Sequence, residues 1–346
     1  MKKIMVHGTD KDSTLLIGGE FRNINSYLPK AKVIVITDEH IRELYPSYFT
    51  EDEAIVIGCG ESIKNLDTVA AIYSQLTHKE ADRSTFILGV GGGVVCDITG
   101  FVASTYMRGM RFGFVPTTLL AQVDASVGGK NGVNFGGFKN RIGTFNQPDF
   151  VLCDTSFFNT LPEREIYSGM AEVIKSALIA DAGMFGYIET HVNEILTRQP
   201  AVMEHLIASS LTIKAAIVSR DEKEHGERRK LNFGHTIGHA IEQQTKLTHG
   251  ESVSIGMAVA AKLSEQSGLL SPASVEHIIS MLQRVQLPVI PPLSADKIIH
   301  ALSGDKKKEG DVLHFVLLND IGHAVVKEIA MAQLRELLTD ILQKTF

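Results

Sequence analysis

The feature that most constrains the fold is a series of short, uninterrupted apolar runs in the first 160 residues. These runs lie at residues 32–37, 54–58, 85–89 and 112–115. An apolar run that does not alternate with polar residues is typical of a strand buried on both faces, as in a parallel sheet. Helix-like stretches separate the runs, so the order strand–helix–strand predicts crossover connections and an α/β domain.

A different pattern begins after Pro162. Amphipathic stretches that predict helices dominate there, at about residues 165–182, 184–197, 201–223, 234–245, 252–267 and 273–285. Residues 313–318 and 324–329 flank an Asn-Asp-Ile-Gly turn, which predicts a hairpin. We therefore expect an α/β, Rossmann-like nucleotide-binding domain at residues 1–160 and a mainly α-helical domain at residues 161–346. Because clefts between domains are preferred ligand sites, we expect the active site there.

Composition argues against several classes of protein. The net charge is −6 and no basic block stands out, which disfavours nucleic-acid binding. The N-terminus has no apolar segment typical of a secretory signal, and no run approaches the ~18 apolar residues of a membrane span. The cysteines Cys59, Cys96 and Cys153 form no CxxC pair and suit a reducing compartment, so we expect three buried thiols. These features predict a cytoplasmic enzyme without a membrane or nucleic-acid partner.

A glycine-rich turn at residues 89–93 follows the third apolar run. Glycines let the backbone approach a phosphate, and the helix N-terminus behind them offers unpaired N–H groups. The spacing is not the G-x-G-x-x-G fingerprint, so a tight structural turn stays an alternative. Asp38, just past the first run, is either a helix cap or an acid that binds a ribose hydroxyl. Together the two features favour a nucleotide site.

A second segment rich in glycine and lysine covers residues 116–140. One interpretation is a flexible surface loop. The other is a loop that wraps an anionic substrate, with Lys130 and Lys139 as point charges on its phosphate. Thr117 and Thr118 follow a predicted strand and are placed to donate hydroxyl hydrogen bonds.

Residues 166–182 predict a buried helix that carries Glu172 and Lys175. A carboxylate on an apolar helix is costly unless it is paired or bound to a cation. Two interpretations therefore stay open for Glu172. It forms a buried ion pair with Lys175, or it is a metal ligand.

Three histidines lie within fifteen residues of one another. His235 and His239 are four residues apart and share a helix face, and His249 follows. Such a group beside glycines and apolar residues favours a metal site, in which three protein ligands leave positions open for catalysis. The spacing does not decide which two histidines join the carboxylate.

Five segments in this order resemble the 3-dehydroquinate synthase family of sugar phosphate cyclases. They are GVGGGVVCDITGF, VPTTLLAQVDASVGGKNGVN, SGMAEVIKSALI, RDEKEHGERRKLNFGHTIGHAIE and HGESVSIGM. The similarity runs from about Asp38 to Lys307. It implies a dehydroquinate synthase-like fold, NAD and zinc (or cobalt) as cofactors, and a homodimer in which Arg108 reaches into the site of the other subunit.

The resemblance also implies roles for individual residues. It implies metal ligation by Glu172, His235 and His249, with His239 beside the metal. It implies NAD contacts from Asp38, Glu61, Lys64, Gly92, Gly93, Asp97, Thr117, Thr118, Asp124, Lys130, Lys139, Thr160 and Leu161. It implies substrate contacts or catalysis by Lys130, Asn140, Lys175, Lys214, Glu224, Arg228, Asn232, His239 and Lys307, together with Arg108. One departure is a pair of phenylalanines at residues 135 and 138, where the family pattern has His and Gly.

The implied reaction converts 3-deoxy-D-arabino-heptulosonate 7-phosphate into 3-dehydroquinate and phosphate, in the shikimate pathway. It combines transient oxidation by NAD, phosphate β-elimination, re-reduction and an intramolecular aldol closure. The substrate is anionic and the protein is acidic, so local cations must bind it, and these are Lys130, Lys175, Lys214, Arg228 and Lys307. His239, Asn232 and Lys214 are candidates for handling protons on the oxygen of the oxidised carbon, and the resemblance also allows the substrate's own phosphate to act as the base, so the elimination base stays open. Alternatives are a related cyclase such as 2-deoxy-scyllo-inosose synthase, a metal-dependent polyol dehydrogenase and a non-catalytic binding protein.

Overall fold

The structure, a computed structural model, describes residues 1–49, 54–303, 308–309 and 312–344. Contacts within the chain divide it into two compact units. The first comprises Met1–Pro162 and Met203–Lys223, and the second comprises Glu163–Val202 and Glu224–Phe346. The segment Met203–Lys223, most of which belongs to a long helix that ends at Arg220, groups with the α/β unit although it lies beyond Pro162 in the sequence.

A seven-stranded sheet forms the centre of the first unit. The strands of this unit are β1 (Lys2–Val6), β2 (Ser13–Ile17), β3 (Val33–Asp38), β4 (Ala54–Ile57), β5 (Phe86–Gly91), β6 (Phe112–Pro116), β7 (Lys130–Phe135), β8 (Phe138–Phe145) and β9 (Phe150–Cys153). The order in the sheet is β1-β2-β9-β6-β5-β3-β4, and every pairing except β1–β2 is parallel. The four predicted buried strands are confirmed as β3 to β6. The helices that connect them are α1 (Glu39–Leu44), α2 (Leu66–His78) and α3 (Gly93–Thr105).

The sequence pattern did not predict β1, β2 or β9. Strand β1 lies at the edge of the sheet, and its first four residues are exposed or half-buried. It therefore lacks the apolar run that marks a central strand. Strand β9 has only four residues, all of them buried, and is too short to be identified from a sequence pattern.

The interpretation of residues 116–140 as a flexible surface loop was wrong for its second half, because β7 and β8 form an antiparallel hairpin. Glycines are needed there for close packing. A Cβ on Gly132 would lie 2.7 Å from the carbonyl oxygen of Ile142, and a Cβ on Gly143 would lie 2.6 Å from that of Asn131. Gly100 of α3 leaves room for the Asn131 side chain in the same way. The glycines thus indicate contact between backbones and do not indicate mobility.

The second unit is mainly helical, as predicted. Its helices, with the one that continues into the first unit, are α4 (Glu163–Ala180), α5 (Ala182–Thr190), α6 (Val192–Leu196), α7 (Pro200–Arg220), α8 (His235–Glu242), α9 (His249–Gln266), α10 (Pro272–Arg284), α11 (Ala295–Ser303) and α12 (Met331–Lys344). A small antiparallel sheet contains β10 (Lys308–Glu309), β11 (Val312–Asp320) and β12 (His323–Ala330). The predicted hairpin near the C-terminus is confirmed, because β11 pairs with β12.

Helices α4 and α9 form the centre of the second unit. Every side chain from Met170 to Ile179 on α4 is buried, as are residues 252–264 on α9. Glycines allow two backbone approaches along α9. A Cβ on Gly250 would overlap the carbonyl of Ser168 on α4, and a Cβ on Gly256 would overlap that of Gly234, just before α8. The three helices α4, α8 and α9 are therefore fixed relative to one another through backbone contact.

Two expectations from composition need correction. Within the part of the chain that the structure describes, α7 is long and apolar enough to cross a membrane, with a mean hydropathy of 1.4 over 18 residues. Of that window 56% is buried inside the protein, which is usual for a core helix, so it is weak evidence for a membrane span. Cys96 and Cys153 are buried, but Cys59 is exposed. Cys59 lies between two glycines in the loop after β4, outside the buried strands and helices, so the prediction that it is buried was wrong.

Candidate metal and cofactor sites

Glu172 is a buried carboxylate at the centre of α4, with a side chain that is 1% exposed. Its Oε2 atom forms an ion pair with Nζ of Lys175, one turn further along the helix and 2% exposed. The ion-pair interpretation of these two residues is therefore confirmed. It accounts for one side of the carboxylate and leaves Oε1 to other partners.

Two imidazoles approach the other oxygen of Glu172. The Nε2 atoms of His235 and of His249 each lie 3.5 Å from Glu172 Oε1. His235 is the first residue of α8 and His249 the first residue of α9. The two glycine-mediated approaches to α9 therefore also bring the three side chains together.

Each of the two imidazoles is oriented through its second ring nitrogen. Nδ1 of His235 lies 3.1 Å from the carbonyl oxygen of Phe233. Because a carbonyl only accepts, Nδ1 carries the proton, and the Nε2 of a neutral ring then presents a lone pair towards Glu172. Nδ1 of His249 lies 3.4 Å from Oε2 of Glu242. An outer carbonyl or carboxylate of this kind is usual behind a metal-binding histidine.

The charges at this site are strongly coupled. Burial alone would raise the pKa of Glu172, but Lys175 and His249 outweigh it and lower that pKa to about 2. Burial alone would lower the pKa of His249, but Glu172 and Glu242 outweigh it and raise that pKa to about 10. Without a cation, the site thus holds a carboxylate beside a protonated imidazole at neutral pH.

The three side chains fit a divalent cation. Ligand atoms of Glu172, His235 and His249 all lie within 4.8 Å of one another. Tetrahedral ligands at zinc bonding distance are separated by about 3.4 Å, close to the 3.5 Å between Glu172 Oε1 and each imidazole. In addition, Oε1 of Glu172 is buried and accepts no hydrogen bond of normal geometry from the described residues, whereas Oε2 is paired with Lys175. Buried oxygen atoms in this condition are what a metal ion would satisfy.

His239 lies beside this cluster, as the sequence predicted. Its ring centroid is 5.2 Å from that of His235 and 6.0 Å from that of His249. His239 also belongs to a second group of possible ligands, together with Glu242 and His249. His249 faces Glu172 through one nitrogen and Glu242 through the other, so it belongs to both groups.

Three further predicted substrate residues precede α8. Glu224 has a positive φ of 64° and accepts a hydrogen bond from the side-chain amide of Asn232. Arg228 lies between them in a short 3₁₀ helix (Glu227–Asn232) and is 3% exposed. Lys307, the remaining residue predicted in this half of the chain, lies outside the described residues.

In the first unit, the predicted nucleotide residues lie at the carboxyl ends of neighbouring parallel strands. Asp38 ends β3, and the glycine-rich turn ends β5, which pairs with β3 on the side opposite β4. The strand order reverses at this point, and nucleotides bind parallel sheets at such places. Gly92 is the N-cap of α3 and has no side-chain cap, so the first N–H groups of α3 remain for a ligand. Asp38 caps α1 through Ile41 N at 2.8 Å, which confirms the capping alternative, while its ribose role stays a prediction.

The structure brings Lys64, Asp97 and Asn140 together. Nζ of Lys64 lies 2.5 Å from Oδ2 of Asp97 and 2.5 Å from Oδ1 of Asn140. Lys64 is 5% exposed, and burial raises the pKa of Asp97 although Lys64 acts against that rise. Glu61, three residues before Lys64, accepts a hydrogen bond of 2.8 Å from the side chain of Asn134. No motif in the sequence predicted a role for Asn134.

A second pair joins Asp124 and Lys214 in the first unit. Nζ of Lys214, on α7, donates to both the backbone oxygen and Oδ1 of Asp124 at 2.6 Å. Asp124 lies in a π-helical turn (Ala121–Ala125) that follows Thr118, and Thr118 Oγ1 accepts from Ala121 N at 3.1 Å. This pair explains why Lys214 groups with the α/β unit.

The other predicted residues of the first unit are spread over several elements. Thr117 is buried next to the glycine-rich turn, with its N–H bonded to Gly91 O. Thr160 shares a hydrogen bond of 2.6 Å with Tyr45 OH. Gly93, Lys130, Lys139 and Leu161 are half-buried or exposed. Arg108 is exposed after α3 and has a positive φ of 67°.

Comparison with known proteins gives a consistent match. A family model described as "3-dehydroquinate synthase N-terminal" matches residues 54–168, and one described as "3-dehydroquinate synthase C-terminal" matches residues 169–308. The 3-dehydroquinate synthase of Nitrosospira multiformis is 42% identical over 330 residues, which cover 92% of this chain and 90% of that protein.

Two solved structures resemble the whole chain. A 2-deoxy-scyllo-inosose synthase complexed with carbaglucose-6-phosphate, NAD+ and Co2+ has a TM-score of 0.87 at 27% identity, covering 98% of this chain and 100% of that one. A 2-epi-5-epi-valiolone synthase from Streptomyces hygroscopicus with NAD+ and Zn2+ bound has a TM-score of 0.86 at 28% identity, covering 98% of each chain. The predicted dehydroquinate synthase-like fold is thereby confirmed.

Proposed function

The chain belongs to the 3-dehydroquinate synthase family of the shikimate pathway, and from this membership we propose which of its residues bind the metal, NAD and the substrate. The reaction converts 3-deoxy-D-arabino-heptulosonate 7-phosphate into 3-dehydroquinate and phosphate. The observation that carries the assignment of residues is the convergence of one carboxylate and two imidazoles at 3.5 Å in the second unit.

Glu172, His235 and His249 hold a divalent cation, zinc or cobalt, in this proposal. Two features support it: Oε1 of Glu172 accepts no hydrogen bond from the described residues, and the Nε2 atoms of both histidines face it; the Co2+ and Zn2+ of the two cyclase structures support it as well. When bound, the cation polarises the oxygen of the substrate carbon that NAD oxidises and later reduces. Lys175 keeps Glu172 ionised, and Phe233 and Glu242 keep the imidazoles directed at the cation.

The first unit binds NAD in this proposal. The N-terminus of α3, at Gly92 and Gly93, accepts the pyrophosphate, because its N–H groups and helix dipole favour an anion. Asp38 binds a ribose hydroxyl from the adjacent strand end. The remaining contacts come from Glu61, Lys64, Asp97, Thr117, Thr118, Asp124, Lys130, Lys139, Thr160 and Leu161.

Cationic side chains bind the two anionic groups of the substrate. Arg228 is the best suited to a carboxylate, because its planar guanidinium donates two parallel hydrogen bonds. Lys130, Lys175, Lys214 and Lys307 supply further charge, and Asn140, Glu224 and Asn232 bind substrate hydroxyls. His239 is placed to exchange a proton with the oxidised carbon's oxygen, since it adjoins both metal-site imidazoles.

The protein works as a cytoplasmic homodimer in this proposal. Three free cysteines support a reducing compartment, since none is paired in the structure. Arg108 supports the dimer, because an exposed arginine in a strained backbone conformation is typical of a functional contact.

The test is an assay of purified protein with the heptulosonate phosphate, zinc and a catalytic amount of NAD. We expect phosphate release to continue for many turnovers per NAD, while absorbance of NADH stays at its low steady level. Stoichiometric NADH without phosphate would instead indicate a polyol dehydrogenase, and no turnover with the metal-loaded protein would refute the proposal.

A further inference from the structure

Asn134 lies at an irregular position of the β7–β8 hairpin. The register pairs Val133 with Ile142 and Phe135 with Phe138, so three residues of β8, 139–141, lie opposite the single residue Asn134. A bulge of this kind redirects side chains and is common beside active sites. Two of the three residues, Lys139 and Asn140, are among those proposed to bind NAD and substrate.

Three hydrogen bonds connect Asn134 to residues of the proposed cofactor and substrate sites. Its backbone N–H donates to the carbonyl of Lys64 at 2.8 Å, and its side-chain Nδ2 donates to Oε1 of Glu61 at 2.8 Å. Its Oδ1 accepts the backbone N–H of Asn140 at 2.9 Å. Asn134 thus bonds the Glu61–Lys64 segment assigned to NAD and, through the same side-chain amide, the residue assigned to the substrate.

The bond to Asn140 contacts a residue in the left-handed backbone conformation. Asn140 has a φ of 49°, in a region that asparagine adopts more readily than most residues other than glycine. In this conformation its side-chain oxygen accepts a hydrogen bond from Nζ of Lys64, which also donates to Asp97. A network therefore runs from Glu61 through Asn134 to Asn140 and returns to the cofactor segment at Lys64.

An amide suits both partners of this side chain. The carboxylate of Glu61 takes a donor and the Asn140 N–H takes an acceptor, and the asparagine side chain presents one of each, on separate atoms. An aspartate would keep the bond to Asn140 but place a second carboxylate against Glu61. The chemistry of the network thus explains an asparagine here without direct contact to a ligand.

We propose that Asn134 is a positioning residue that couples NAD binding to substrate binding. NAD fixes Glu61 and Lys64, these fix Asn134, and Asn134 then fixes Asn140 in the conformation that receives the substrate. By thermodynamic linkage, the substrate must tighten NAD by the same factor. This inference rests on the proposed function, because Glu61 and Lys64 must bind NAD and Asn140 the substrate.

The test measures the dissociation constant of NAD with and without a phosphonate analogue of the substrate, which cannot release phosphate. We expect the analogue to tighten NAD in the unaltered enzyme and Asn134→Asp to reduce that factor about tenfold, the value of one hydrogen bond to a charged group. The double variant Glu61→Gln/Asn134→Asp exchanges the donor and the acceptor, so it should restore the coupling. Asn193→Asp, an exposed position on α6, serves as the matched control.

Two results separate failure of the inference from failure of the proposed function. Asn134 is merely structural if Asn134→Asp weakens both ligands but leaves the coupling factor unchanged. The same holds if the double variant recovers no coupling although Glu61→Gln alone retains it. If NAD or the analogue does not bind to the unaltered enzyme, the proposed function itself fails. Melting temperatures of all variants check folding, and Asn134→Ser, which is smaller and uncharged, should also lose coupling.

Discussion

At the scale of the residue, Glu172 forms the ion pair that its sequence context allowed, and its role as a metal ligand is proposed. One oxygen pairs with Lys175 and the other faces two imidazoles. A buried lysine keeps the carboxylate ionised, which is the form that binds a cation. The sequence could predict which residue types form the site because the helix and histidine spacings are local. It could not predict Asn134, because the bulge that directs this side chain depends on pairing across the hairpin.

Substitution of Glu172 tests this double role. In Glu172→Gln we expect metal content to fall from about one ion per chain to near zero. We also expect a loss of about 3–5 kcal/mol in the free energy of unfolding, because Lys175 becomes a buried charge without its partner. Metal analysis and urea denaturation measure these changes. Glu163→Gln, exposed on the same helix, is the control. Retained metal in Glu172→Gln would contradict the ligand assignment.

The raised pKa of His249 makes metal binding depend on pH. A pKa of about 10 means that metal-free enzyme holds a proton on His249 at pH 8, and a cation must displace it. We therefore expect about one proton released per cation bound at pH 8, and tighter binding as pH rises towards 10. Calorimetry in two buffers of different ionisation enthalpy measures the proton count. Binding without proton release would show that His249 is neutral in the metal-free site.

The same shifts set the stability of the metal-free protein. The protonated form of His249 stabilises the fold fully below its unfolded pKa of about 6.5, and this contribution is lost as pH rises through about 10. The low pKa of Glu172 contributes above its unfolded value, and that contribution is lost as pH falls towards 2.

At the scale of the element, α4, α8 and α9 position the proposed metal ligands through close backbone contacts. The start of α9 is also fixed by a capping box between Thr248 and Glu251, and by Arg164 of α4, which donates to both oxygens of Glu251 at 2.7 and 2.8 Å. Amphipathic spacing predicted these helices to within a few residues. It could not predict which glycines lie at helix contacts, because that depends on partners distant in the sequence.

Gly250→Ala tests whether this contact positions the ligands. The added Cβ would overlap the Ser168 carbonyl, so α9 must move away from α4. We expect a loss of about 1–3 kcal/mol in stability and a weaker affinity for metal, because His249 adjoins Gly250. Gly186→Ala is the matched control, since that helical glycine has no atom within 4 Å of an added Cβ. If Gly250→Ala destabilises the protein but leaves its metal affinity unchanged, the contact between α4 and α9 stabilises the fold without positioning the ligands.

At the scale of the whole molecule, the chain combines an α/β unit with a mainly helical unit, and each holds one set of proposed functional residues. Buried strand runs predicted the centre of the sheet, because strands covered on both faces must be apolar. The pattern did not predict β1 or the β7–β8 hairpin. Strand β1 is exposed to solvent at the edge of the sheet, and the hairpin has glycines at its backbone contacts, so neither contains a continuous apolar run. Residues 203–223 group with the α/β unit because of tertiary contacts such as that between Lys214 and Asp124, which the sequence pattern does not reveal.

A shared site predicts complementation between subunits. Arg108→Ala and His235→Ala should each be inactive as homodimers. If Arg108 acts in the site of the other subunit, a mixed dimer has one site with both residues intact. After exchange of subunits in an equal mixture, about half of the dimers are mixed, and each mixed dimer has one intact site of two. We therefore expect the mixture to recover up to about a quarter of the activity of the unaltered protein. Absence of any recovery in verified mixed dimers would place Arg108 in the site of its own subunit.

The cation site is the claim on which the other assignments depend, and anomalous scattering at the cobalt edge from crystals of cobalt-loaded protein tests it most directly. We expect one strong peak per chain, within bonding distance of Glu172 Oε1 and of the Nε2 atoms of His235 and His249. A peak bound elsewhere, or full activity in crystals without any peak at these three residues, would contradict the account.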